Sequence, residues 1–95
     1  YRFSCEDVKV WITHIGGYPN RYSKRVSENL KYEKVDLFIC GHSHILKVIN
    51  DKKHNLIHIN PGAIGKHGFH NKRTMVRFEI DGKKIENLEI IEFNR

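Results

Sequence analysis

Cysteine is scarce. Cys5 and Cys40 are the two thiols in 95 residues. Their separation matches no zinc or redox motif, which excludes a cysteine-based metal or dithiol site. Cys40 lies inside an apolar run and reads as a small buried hydrophobe. Long apolar runs are also missing. None approaches the roughly 20 residues that cross a bilayer, and no segment resembles a signal peptide. No membrane partner is expected, and a reducing cytoplasm is the expected compartment. Repeats, low-complexity tracts and Gly/Ser linkers are absent. The chain opens on Tyr1 rather than Met, so it is expected to be a processed or partial polypeptide, with residues 1–95 as one domain. A domain of this size buries only about 60–65% of its unfolded surface, so the core is thin.

Alanine is represented by a single residue, whereas there are twelve Ile, six Val and five Leu. That β-branched bias favours strands. Seventeen Lys and Arg against eleven Asp and Glu give a net charge of +6. The excess suits a phosphate-bearing partner, either a small phosphoester or nucleic acid. The basic residues are scattered, however, and no RRM, homeodomain or zinc-finger signature accompanies them. Nucleic acid is therefore not the expected partner, and a solvated surface is the simpler account of the charge.

Along the chain, Val8 to Thr13 reads as a strand ending in the loop formers His14 to Asn20. From Arg21 to about Glu33 the period changes: Tyr22, Val26 and Leu30 fall four apart, which predicts a polar helix with one apolar stripe. Asn20 is the expected N-cap. Val35 to Cys40 is short and nearly all apolar, as a strand covered on both faces would be. Strands are predicted from Ile45 to Asn50, from Leu56 to about Ile59, from Thr74 to Ile80 and from about Lys84 to Phe93. A turn at Asp51-Lys52-Lys53 separates the first two and a hairpin turn at Asp81-Gly82 the last two. The inward parity of the last strand shifts between Ile85 and Leu88, which predicts a bulge near Glu86-Asn87. In the strand around His58, alternation places that histidine with Leu56 and Asn60 on a solvated face. His54, in a turn, is expected to be exposed.

Three polar features stand at predicted strand ends: His14, the pair His42 and His44, and Asn60-Pro61-Gly62. Open α/β sheets hold ligands beyond the carboxyl ends of their strands. Neutral imidazoles converging there are candidate ligands for Zn, Mn, Fe or Ni. Residues two apart in an extended segment point to one side, so His42 and His44 can serve one site, and Gly41 permits a sharp turn before them.

Ile12-Thr13-His14, the run Val35 to His44 with its Gly41-His42-Ser43-His44 close, and Ile59 to Ala63 together resemble the last three blocks of the calcineurin-like metallophosphoesterases. The similarity is to the small bacterial and archaeal phosphodiesterase branch. It covers nearly the whole chain from about Val8. It implies an α/β fold, the C-terminal half of a two-sheet αββα sandwich with mixed parallel and antiparallel strands. It implies that His14 and His42 ligate the second of two divalent metals and His44 the first, and that Asn60, Pro61 and Gly62 shape the turn closing the site. The metal pair would be Mn, Ni, Fe or Zn, and the reaction hydrolysis of a phosphodiester or phosphomonoester by a metal-held hydroxide.

The family's Asp-x-His, Gly-Asp-x-x-Asp and Gly-Asn-His blocks are not in this sequence, and they are expected upstream of Tyr1. Three neutral imidazoles without a bridging carboxylate hold two cations poorly. The chain alone is therefore expected to bind at most one metal, weakly, and to catalyse nothing, with no catalytic residue in residues 1–95. The expected partners are a small phosphoester substrate and either the missing N-terminal half or a second copy, docked on the exposed sheet. The alternative is a catalytically decayed protein-interaction scaffold of the same fold, such as its relative in the retromer coat. The basic loop Gly65 to Arg73 follows the Asn-Pro-Gly turn. Together with Asn60 and Gly62, its residues Lys66, His67 and Arg73 are candidate ligands for phosphoester oxygens; the plainer account is a polar surface loop.

Overall fold

The computed structural model describes residues 1–65 and 72–94. Its elements, in chain order, are β1 (Arg2–Cys5), β2 (Val8–Thr13), β3 (Gly17–Tyr18), β4 (Arg21–Tyr22), α1 (Lys24–Leu30), β5 (Leu37–Cys40), β6 (Leu46–Asp51), β7 (Leu56–Pro61), β8 (Lys72–Asp81) and β9 (Lys84–Asn94). Five strands form one sheet in the order β1-β2-β5-β7-β6. Its three inner strands β2, β5 and β7 run parallel, and β1 and β6 flank them antiparallel. The hairpin β8-β9 is a separate ribbon. This is the expected α/β class with mixed strand directions.

The core follows from alternation along the parallel strands. Trp11, Phe38 and His58 are register neighbours, and Trp11 and Phe38 pack with Cys40, Leu56 and the Val26 and Leu30 of α1. On the opposite face Val8, Val10, Leu37 and Ile59 meet Val76, Phe78, Ile80, Ile85 and Leu88 of the hairpin. That double cover explains why Leu37-Phe38-Ile39-Cys40 carries almost no polar residue. It also corrects the expectation of a bare sheet awaiting a partner, because the chain's own hairpin covers much of that face.

The helix is shorter than its periodicity predicts. Tyr22 packs against the core in the predicted stripe, but Arg21 and Tyr22 belong to a two-residue strand pairing with Gly17 and Tyr18. Asn20 is not the N-cap. It sits at φ 69 in the turn of that small hairpin, a conformation asparagine tolerates better than most residues. Ser23 caps instead, its side chain accepting from the Val26 amide at 3.4 Å. In the hairpin the register jumps from Arg77↔Glu89 to Glu79↔Glu86, leaving one extra residue on β9. Asn87 takes φ 54 there, so the bulge lies where the sequence predicts it.

His58 and His54 depart from expectation. His58 does share a face with Leu56 and Asn60, but that face lies inside, and His58 is 0% exposed. The alternation gives the parity and not the cover: Gly17, Tyr18 and Tyr22 of the β3-β4 hairpin lie against His58 on this side. His54 is half-buried, its Nδ1 2.8 Å from Asp51 Oδ2, while Tyr22 donates to the same carboxylate oxygen at 2.7 Å. Those bonds outweigh the effect of burial, which by itself would raise the Asp51 pKa, and hold it below its ordinary value.

Candidate metal centre

Because β2, β5 and β7 are parallel neighbours, the loops leaving them emerge at one edge of the sheet. His14 leaves β2, Gly41 to His44 leave β5, and Asn60-Pro61-Gly62 closes β7. The Gly41 amide donates to the His14 carbonyl at 2.9 Å, stitching the first two loops together. Across that stitch His14 Nε2 and His42 Nδ1 lie 3.3 Å apart, with the rings nearly perpendicular at 81°. Both residues are exposed. Two imidazole nitrogens on one tetrahedral zinc, each at about 2.0–2.1 Å, stand roughly 3.3–3.4 Å from each other. The spacing therefore fits one small cation shared by these two residues.

His44 follows two residues later on the same loop. Among the described residues there is no group of three or more His, Cys, Asp or Glu side chains able to hold a metal. The reason is local. His42 has φ 76 and His44 has φ 63, so the loop bends at both residues, and the alternation that puts residues two apart on one side of an extended strand does not apply. Among the described residues no carboxylate joins the pair, so these residues by themselves do not fit a two-metal centre.

Of the candidate phosphoester ligands, Asn60 is 1% exposed. Its Nδ2 donates to the Gly41 carbonyl at 3.3 Å and to Ser43 Oγ at 3.0 Å, and its Oδ1 accepts from the Gly62 amide at 3.0 Å. Its polar atoms are committed to the loops rather than offered to a substrate. Gly62 has φ 77, and a Cβ added there would stand 2.1 Å from Thr74 Oγ1. No larger residue fits this turn. Arg73 lies on the hairpin with its guanidinium 5.5 Å from the Phe93 ring centre and a bond to the Asn94 carbonyl at 3.4 Å. Lys66 and His67 lie outside the described residues.

Three supports of this edge carry no motif that sequence reading could have found. Arg25, on α1, donates to Thr13 Oγ1 at 2.9 Å and to the Ile15 carbonyl at 3.1 Å, bracketing His14. Tyr18 bonds Ser43 Oγ. His58 stands below, its Nε2 3.0 Å from the Gly17 carbonyl and 3.4 Å from Cys40 Sγ. Its Nδ1 is buried without a partner, as suits a neutral ring donating from Nε2. Burial lowers the His58 pKa, and burial raises that of Cys40. Beside His14, Ile12, Ile39, Cys40, Gly41 and Pro61 line a shallow apolar hollow.

A family profile described as the calcineurin-like phosphoesterase superfamily domain matches residues 1–83. No curated protein matches the chain. Among solved structures, a single mutant of Vps29 from Entamoeba histolytica aligns with a TM-score of 0.66 at 16% identity, over 99% of this chain and 60% of that one. The wild-type Vps29 of the same organism, complexed with Zn²⁺, aligns with a TM-score of 0.66 at 15% identity and the same coverage. Vacuolar protein sorting 29 from Cryptosporidium parvum aligns with a TM-score of 0.55 at 17% identity, over 100% of this chain and 56% of that one. The chain thus spans about 60% of the length of the Entamoeba structures it matches.

Proposed function

The chain belongs to the calcineurin-like phosphoesterase superfamily, and on that premise we propose that it is a protein-binding scaffold of that fold, keeping the histidine side of the metal centre and hydrolysing no phosphoester by itself. The observation that carries this reading is the make-up of the sheet edge. Two imidazoles converge at 3.3 Å, and no third side-chain ligand joins them among the described residues. Two divalent cations held about 3.5–4 Å apart need anionic ligands to offset their repulsion, and among the described residues this edge presents none. Residues 1–95 are read as one partial domain. Exposed Ile12, Ile15, Ile45 and Ile64 at the same strand ends favour a protein surface over a solvated one. The likeness to a Vps29 crystallised with Zn²⁺ accords with a scaffold that also takes a metal. Both cysteines are free, which suits a reducing cytoplasm, and no helix among the described residues is long and apolar enough to cross a membrane.

A second reading is favoured by the three blocks meeting at adjacent strand ends. In it the chain supplies one half of a metal-dependent phosphoesterase for a small phosphoester, and the aspartates and second metal come with an N-terminal half. Lys66, His67 and Arg73 would then contact phosphoester oxygens.

The deciding experiment is an intact mass with metal analysis before any chelator, followed by a hydrolysis assay on bis-p-nitrophenyl phosphate with Mn²⁺ or Zn²⁺. The scaffold reading expects at most one metal per chain and no turnover. Sustained turnover by the 95-residue chain overturns it. A co-purifying polypeptide with a metal pair per complex establishes the second reading.

A further inference from the structure

The histidine loop is held in a shape that its sequence does not favour. His42 and His44 both occupy the left-handed region, at φ 76 and φ 63, where the Cβ of a non-glycine residue crowds the neighbouring carbonyl. Such conformations persist where the surroundings over-determine them. Between the two histidines of the Gly41-His42-Ser43-His44 block sits Ser43, exposed, whose hydroxyl makes three hydrogen bonds. It accepts from Asn60 Nδ2 at 3.0 Å and from the Ile45 amide at 3.2 Å, and it bonds Tyr18 Oη.

Hydrogen counting fixes the sense of the last bond. A serine hydroxyl has two lone pairs and one hydrogen. The Asn60 amide nitrogen and the Ile45 amide are obligate donors and fill both lone pairs. Ser43 therefore donates its hydrogen, and Tyr18 accepts. Each anchor is itself fixed. Asn60 is buried and also grips the Gly41 carbonyl at 3.3 Å. Tyr18 is seated with its ring 5.5 Å from that of buried His58, with Lys47 Nζ 4.9 Å from its own ring centre.

We propose that Tyr18 and Asn60 are positioning residues for the metal-binding loop: they grip the Ser43 hydroxyl from β3 and β7 and so hold His42 in the left-handed turn that brings its Nδ1 to His14. This rests on the reading of His14 and His42 as two ligands of one cation, but its structural half concerns the metal-free loop and is tested separately. Partners that orient a ligand typically change metal affinity about 10–100-fold when removed. Tyr18→Phe deletes one oxygen, and Ser43→Ala deletes the hub; Ser43→Thr keeps a hydroxyl.

The test compares wild type, Tyr18→Phe, Ser43→Ala and Ser43→Thr in two readouts. In the metal-free protein, Tyr18→Phe and Ser43→Ala are expected to speed exchange of the Ile45 amide and to move the backbone resonances of residues 42–45, with Ser43→Thr close to wild type. In a Co²⁺ titration followed by absorbance, the same two variants are expected to bind about tenfold more weakly, with Ser43→Thr restoring affinity. Loop resonances and Ile45 exchange unchanged in Tyr18→Phe overturn the proposal, whatever the metal does. Should wild type take no Co²⁺, the metal reading fails while the loop resonances still decide the positioning role. If Tyr18→Phe loses its native spectrum altogether, the serine pair decides: equal behaviour of Ser43→Ala and Ser43→Thr overturns the proposal, and rescue by threonine upholds it.

Discussion

Buried titratable residues set the acid and alkaline limits of this fold. His58 is fully enclosed, and burial holds its pKa below the ordinary histidine value. The folded chain thus resists a proton that the unfolded chain accepts near pH 6.5. By linkage the folded state loses stability as pH falls through that value. Tyr22 works at the other limit. Burial, with its bond to Asp51, raises its pKa above the ordinary 10, so above about pH 10 the unfolded chain gives up a proton that the folded chain keeps. Asp51, held low, contributes stability above the ordinary carboxylate range that is lost as pH falls through its folded value. Burial raises the Cys40 pKa as well, so above about pH 8.5 the unfolded chain also loses the thiol proton first. A plateau between about pH 6.5 and 8.5 is expected, with urea midpoints falling from pH 7 to pH 5. His58→Gln should flatten the slope in that acid window. A slope equal to wild type would mean that His58 is not the group responsible.

Among the elements, β5 bears most, because its two faces serve two cores. Phe38 lies under α1 at 0% exposure and Leu37 under the hairpin at 1%. Truncating either leaves a cavity. Phe38→Ala is expected to cost about 3–5 kcal/mol and Leu37→Ala about 2–5 kcal/mol. The two losses should be spatially distinct in native-state amide exchange. Phe38→Ala should release α1 first and Leu37→Ala the β8-β9 ribbon, since an isolated two-stranded ribbon is marginal without a surface to cover. Release of both elements together by both variants would show one cooperative unit in place of two layers.

For the molecule as a whole, the two cores close around apolar clusters that include neither His14 nor His42. Chelation is therefore expected to leave the thermal midpoint of the metal-free fold unchanged. Added Zn²⁺ should raise stability by the binding linkage, about 2.7 kcal/mol at a hundred times its dissociation constant. That gain should vanish in His14→Ala and in His42→Ala, and persist in His54→Ala, whose imidazole pairs with Asp51 away from the edge. A Zn²⁺ gain that survives His14→Ala would place the ion elsewhere. The net charge of +6 remains a statement about long-range attraction to phosphate-bearing partners, and it does not specify the fold.

The sequence by itself determined the strand frame and the family. Short β-branched runs and the turn at Asp81-Gly82 placed the strands of the main sheet from Val8 onward and the last hairpin. The parity shift between Ile85 and Leu88 located the bulge, and the Gly41-His42-Ser43-His44 block with its companions pointed to the superfamily. These signals are local, set by pleat and turn chemistry within a few residues. The tertiary structure decided the rest. It set which face of β7 is covered and so whether His58 is wet or buried. It put Asn20 in a turn and Ser23 at the helix cap, and it brought His42 to His14. Those outcomes turn on contacts between segments far apart in the chain, such as Tyr18 to Ser43 and Asn60 to Gly41. Residue alternation says which side chains share a face, but what lies against that face depends on where remote segments fold back.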